Sequence, residues 1–131
     1  MNVVDSSMWI EYFADTGNCD LVADVIENPD DLIVPSITVY EVYKKLLAER
    51  TEDEALYAIS FMEQGNVIDL DKDLAMSASK ISRHYKLAMA DSIIYATNIK
   101  YNCVLWTQDK HFEGLQSVNY IQKTQDNQET K

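Results

Sequence analysis

Short apolar runs alternate along this chain with longer stretches whose apolar residues recur every three or four positions, a pattern that predicts strands interleaved with helices. Residues 2–4 form the first apolar run. It is closed by Asp5, Ser6 and Ser7, which are suited to start a helix carrying Trp9, Ile10, Tyr12 and Phe13. A turn at Gly17 leads to a second helix, expected over 20–27, and Asn28-Pro29-Asp30-Asp31 breaks it before the buried run Leu32-Ile33-Val34. Pro35 and Ser36 open a third helix reaching Glu49. Ile37, Tyr40, Val42, Leu46 and Leu47 predict that it is buried on much of its surface. A fourth helix is expected over 52–64, with Leu56, Ile59 and Phe61 inward and Gly65 as its C-terminal stop.

Val67 and Ile68 make a third strand, and helices are expected over 71–86 and 90–101. Cys103-Val104-Leu105-Trp106 reads as a central strand and 118–121 as a last short one. The polar stretch 123–131 is expected to be a disordered tail, which leaves residues 1–122 as one domain. Strands alternating with helices argue for an α/β fold with a mainly parallel central sheet of four to five strands.

In such sheets ligands bind beyond the carboxyl ends of the strands. Asp5 ends the first strand, Glu41 lies in the early turns of the helix after the second, and Asp109 follows the fourth. Asp91 starts the helix that runs down into that fourth strand, so it belongs to the same edge. Four carboxylates converging without matching lysines or arginines raise one another's pKa unless a cation sits among them. Oxygen-only ligands select a hard ion such as Mg²⁺ or Mn²⁺. The natural reaction is phosphodiester cleavage, with one ion activating water and a second, about 4 Å away, steadying the leaving oxygen.

Composition narrows the rest. At 131 residues and 47% hydrophobic the chain is one globular domain of ordinary size. Its 22 acidic and 11 basic residues give a net charge of −11, which excludes a generic nucleic-acid coat protein. Two cysteines, Cys19 and Cys103, are too few for a disulfide framework and point to reduced thiols in a cytosol. With no basic leader region and no apolar stretch near the roughly 20 residues of a membrane span, a soluble, cytoplasmic protein is expected.

Four segments resemble, in order and spacing, the successive motifs of PIN-domain ribonucleases. They are Val3-Val4-Asp5-Ser6-Ser7-Met8-Trp9-Ile10, Ile37-Thr38-Val39-Tyr40-Glu41-Val42, residues 89–97 from Met89 to Thr97, and Leu105-Trp106-Thr107-Gln108-Asp109-Lys110-His111-Phe112. The similarity covers residues 2–121, and the size is similar to that of VapC-type toxins of toxin–antitoxin pairs. The resemblance implies a three-layer α/β/α PIN-like fold and a Mg²⁺- or Mn²⁺-dependent endoribonuclease acting on RNA, including structured RNA such as tRNA. It implies that Asp5, Glu41, Asp91 and Asp109 are the catalytic, metal-holding acids, with Ser6 and Thr107 supporting them from behind. It also implies a cognate antitoxin whose C-terminal segment covers the acidic pocket, and a homodimer or higher toxin–antitoxin assembly. Gln108 stands where the family often has a basic residue, and Tyr95 where a small one is commoner; both bear on substrate choice.

Each acid also has an ordinary structural use. Asp5 and Asp91 could cap helices, Thr38 and Glu41 have capping-box spacing, and Asp109 could be a turn residue. His84 and His111 have no partner at metal-ligand spacing and receive no role. Trp9, Tyr12, Phe13, Tyr40, Tyr43, Leu47 and Phe61 are expected in the core, some of them at an antitoxin or dimer surface. Lys80, Arg83 and His84 share a helical face, and Lys44 with Lys45 makes another basic spot; both read as solvated faces, with RNA contact the sharper alternative. The rival function is a catalytically inactive PIN-like or receiver-like protein-binding module. A receiver needs an acidic pair where Ser6 and Ser7 follow Asp5, and a haloacid-dehalogenase-type phosphatase needs an aspartate at Ser7.

Overall fold

In the computed structural model, which describes residues 1–123, five strands form one wholly parallel sheet. The tail expected over 123–131 therefore lies, from residue 124 onward, outside the described residues. Strands β1 (Asn2–Val4), β2 (Leu32–Pro35), β3 (Asn66–Ile68), β4 (Val104–Thr107) and β5 (Val118–Tyr120) are ordered β3-β2-β1-β4-β5. Helices α1 (Ser6–Ala14), α2 (Cys19–Ile26), α3 (Ser36–Glu49), α4 (Glu52–Met62), α5 (Lys72–Tyr85) and α6 (Met89–Lys100) cover both faces. The chain winds outward from β1 through β2 to β3, then returns to lay β4 on the other side of β1. The strand order thus reverses between β1 and β4, where a crevice opens at the carboxyl ends.

Successive side chains of a strand point to opposite faces, and the three inner strands feed two cores in this way. Val4, Leu32 and Val34 join Met8, Trp9, Val22, Val42, Leu46, Ala55, Ala58 and Met62 under helices α1 to α4. Val3, Ile33 and Leu105 point the other way, to Ile94, Tyr95, Leu87 and Phe112. Helix α6 is buried from Ser92 to Asn98, and its polar side chains there donate to carbonyls, while Asn98 Oδ1 is buried without a partner among the described residues. Tyr95 donates to the Gln116 carbonyl (2.7 Å), Thr97 to that of Ile93 (2.8 Å) and Asn98 to that of Ser117 (3.2 Å). The large Tyr95 is a core residue.

Several expectations are corrected. Helix α3 buries only the narrow face Thr38, Val42 and Leu46, while Tyr40 and Leu47 are exposed, at 58% and 44%. Helix α4 turns Ala55, Ala58 and Met62 inward and leaves Leu56 exposed, because small residues let it approach the core closely; Ile59 and Phe61 are half-buried. Ser6 and Ser7 lie inside α1, and Asp5 alone caps it. The capping box of the chain is Thr51 with Glu54, whereas Thr38 donates to the Pro35 carbonyl (2.7 Å), so Glu41 has no helix-starting task.

Gly65 is not a left-handed cap, since its φ is not positive. It is needed for approach: a Cβ there would lie 2.9 Å from Val34 Cγ2 and 3.2 Å from the Leu32 carbonyl oxygen. Both belong to the buried strand β2 and cannot move cheaply. Gly65→Ala is therefore expected to destabilise the fold by about 1–3 kcal/mol, measured as a lower denaturant midpoint at unchanged slope.

Candidate active site

The edge of the sheet at the β1/β4 crevice is tied together by one hydroxyl. Thr107, the last residue of β4, donates from Oγ1 to Asp5 Oδ2 (2.7 Å) and accepts the backbone N–H of Asp109 (3.0 Å). Asp5 leaves β1 in an extended conformation and its other oxygen, Oδ1, accepts the Ser6 N–H (2.8 Å), starting α1. The Ser6 hydroxyl in turn donates to Glu41 Oε1 (2.6 Å) in the second turn of α3. Ser6 and Thr107 thus each touch an acid from behind.

Asp91 sits in the first turn of α6, whose N-cap is Ala88, so it is not the cap of that helix. Asp109 caps the 3-10 turn Lys110–Phe112 through the His111 N–H (2.9 Å), and the same oxygen lies 2.9 Å from His111 Nδ1. Asp5, Glu41, Asp91 and Asp109 line a single cleft of about 660 Å³ together with Tyr40, Lys44, Lys45 and Lys123. Within it, one ligand atom each of Asp91, Asp109 and His111 lies within 4.8 Å of the other two, and Asp5 and Glu41 stand outside that group. His111, given no role from the sequence, therefore does have partners at ligand distance. Asp109 lies two residues before it in the same turn, whereas Asp91 comes from α6, with no sequence spacing to mark the approach.

Electrostatics reflect the crowding. Burial pushes the Asp5 carboxyl up to about 7, against the opposing hydrogen bonds from Thr107 and Ser6, and the Asp91 and Asp109 charges add to the rise. Burial also raises Asp91, to about 6, helped by the charges of Asp109 and Glu41 and by a hydrogen bond with Asp109, and opposed by His111. Among the described residues, no lysine or arginine makes an ion pair with any of the four acids.

A second network was not legible in the sequence. The buried Gln108 donates to Glu11 Oε2 (2.7 Å) and accepts from Asn18 Nδ2 (2.9 Å), while the Asn18 N–H donates to Glu11 Oε1 (2.7 Å). The Gln108 amide thus anchors the chain next to Asp109 to α1 and to the loop after it. Its partners lie 97 and 90 residues away in sequence, with no local signal between them.

Comparisons with known proteins place the sequence in a family and the fold among solved structures. Residues 3–117 match the family described as the PIN domain. The fold is similar to that of a toxin–antitoxin complex from Klebsiella pneumoniae, at 23% identity and a TM-score of 0.77, covering 92% of this chain and 100% of that one. It is similar to VapBC2 from Rickettsia felis bound to a promoter DNA fragment, at 11% identity and a TM-score of 0.71, covering 94% and 98%. VapC20 of Mycobacterium tuberculosis, a toxin that cleaves the sarcin–ricin loop, is similar at 16% identity and a TM-score of 0.65, covering 78% and 84%. No curated protein matches the sequence.

The raised carboxyls make a pH prediction. Asp5 and Asp91 bind their protons more tightly folded than unfolded, so folding takes protons up between the ordinary carboxyl value of 3.8 and the folded values of about 7 and about 6. Their contribution to stability is full at the acid end of that window and falls as pH rises through it. In chelator-treated protein, Asp5→Asn is expected to raise Tm at pH about 8 more than at pH about 5, read by thermal melts at both values. An equal shift at both would contradict the assignment of the buried charge.

Proposed function

The chain belongs to the PIN-domain family, and from that premise we propose that it is a divalent-metal-dependent endoribonuclease, the toxin of a toxin–antitoxin pair. One observation carries the reading: four carboxylates from four separate elements line one cleft, and among the described residues no lysine or arginine is paired to any of them. A concentration of like charge that raises its own pKa values calls for a cation. The donor set, four carboxylates with one imidazole at the rim, fits Mg²⁺ or Mn²⁺.

Asp5, Glu41, Asp91 and Asp109 are assigned to hold that ion, with His111 at the edge of the set. When bound, it activates a water and steadies charge on a phosphate oxygen. The chain's own contribution is positional. Thr107 fixes the Asp5 carboxylate and, through the Asp109 N–H, the start of the following turn. Ser6 fixes Glu41 against the start of α1. The Gln108 amide holds the β4 end against α1.

Residues 1–122 form the nuclease domain in this reading, acting in the cytoplasm; among the described residues no helix is long and apolar enough to cross a membrane. The net charge of −11 opposes tight non-specific RNA binding, which favours a structured target such as a tRNA, recognised by shape and a few contacts. The partner proposed for the free protein is an antitoxin bringing a basic side chain to the acidic cleft, in a homodimer or higher assembly. Solved relatives of similar fold are toxin–antitoxin complexes.

Asp91→Asn tests this. It keeps the shape of the side chain and removes one charge from the group, so the fold, followed by near-UV circular dichroism, is expected to persist. Mn²⁺-dependent cleavage of RNA is expected to fall by about 100-fold or more, since the charge stabilisation supplied by a metal is worth several kcal/mol. Undiminished cleavage would overturn the site.

A further inference from the structure

One wall of the acidic cleft is neither acidic nor explained by cation binding. Tyr40 directly precedes Glu41 on α3, lines the same cleft, and is 58% exposed. One turn later, Lys44 places its ammonium 5.7 Å from the Tyr40 ring centroid. The neighbouring Lys45 is committed to Glu49 at 2.8 Å, whereas Lys44 makes no ion pair among the described residues, in a protein with 22 acidic side chains.

We infer that Tyr40 and Lys44 form a nucleotide subsite beside the acid group, where an unpaired base stacks on the Tyr40 ring and a neighbouring phosphate meets Lys44. The inference rests on the nuclease reading above and names its substrate class as a single-stranded segment of RNA. An aromatic face is a sequence-tolerant platform for a base, and a lysine beside it supplies local counter-charge in a protein of net charge −11. A duplex keeps its bases stacked inside, so only an open loop or end can use the platform. The same lysine disfavours a basic peptide at this wall, whereas an RNA strand presents one phosphate to the acids' cation and the next to Lys44.

The test measures binding apart from cleavage. In the Asp91→Asn background with Mn²⁺, fluorescence anisotropy follows a short, labelled, unstructured oligoribonucleotide and the same sequence as a duplex. Tyr40→Ala is expected to weaken binding of the single strand about tenfold, with Tyr40→Trp restoring it to within about threefold. Lys44→Met is expected to flatten the dependence of log affinity on log salt by about 0.7. Duplex binding is expected to be weaker and indifferent to Tyr40→Ala. Both side chains are solvent-facing, and circular dichroism checks that the variants fold. Unchanged single-strand binding by Tyr40→Ala, or equal losses for strand and duplex, overturns the subsite. So does retained RNA binding with a lost affinity for a basic amphipathic peptide, which would make the wall a protein contact. Tyr40-dependent binding of RNA that the wild type never cuts keeps the subsite and removes the nuclease reading; cutting without Tyr40 dependence does the reverse.

Discussion

The Thr107 hydroxyl lies between the Asp5 carboxylate and the Asp109 amide, and the rim of the sheet depends on that bridge. It joins β1 to β4 at the point where the strand order reverses, which is the one place in a parallel sheet where neighbouring crossovers diverge and leave a gap. The hydroxyl can serve both groups because it donates once and accepts once. Neither partner is left unsatisfied in a region where an orphaned polar group would be costly. Asp5 is thereby held in a buried position that its charge resists, and the fold tolerates the conflict because the backbone amide of Ser6 and the threonine share the load.

The same economy explains why the sites of the acids could be read from the sequence while much of the packing could not. A run such as Val3-Val4-Asp5 announces a buried strand and the acid at its end, and the parallel rule then places every such end on one edge. Helix faces are less legible. Leu56 and Ala55 stand side by side in α4, and only the closeness of the neighbouring helix decides that the alanine faces in. Tyr40 and Leu47 look like core by hydrophobicity, but α3 buries only the narrow stripe Thr38, Val42 and Leu46. Gly65 looks like a helix stop, and its use is clearance over β2.

Long-range polar contacts are illegible for another reason. The Gln108, Glu11 and Asn18 cluster joins side chains that no periodicity links, and the approach of His111 to Asp91 exists only once α6 and the β4 turn have docked. Spacing rules identify ligands that share a helix or a loop. They are blind to ligands assembled by topology, which is how all the acids here are gathered.

The central strand is also made long before one of its two sheet neighbours. Asp5 finds Thr107 across 102 residues of sequence, and β1 gains its second sheet neighbour only when β4 has been synthesised. Parallel pairing at such separation is slow to nucleate because the intervening chain must close first. A growing polypeptide therefore carries Asp5 and Glu41 without Asp91 or Asp109 opposite them until those later residues have been made. The constellation comes into being only after the turn that follows β4 has emerged, so whatever chemistry it performs is withheld from the shorter nascent chain by order of emergence alone.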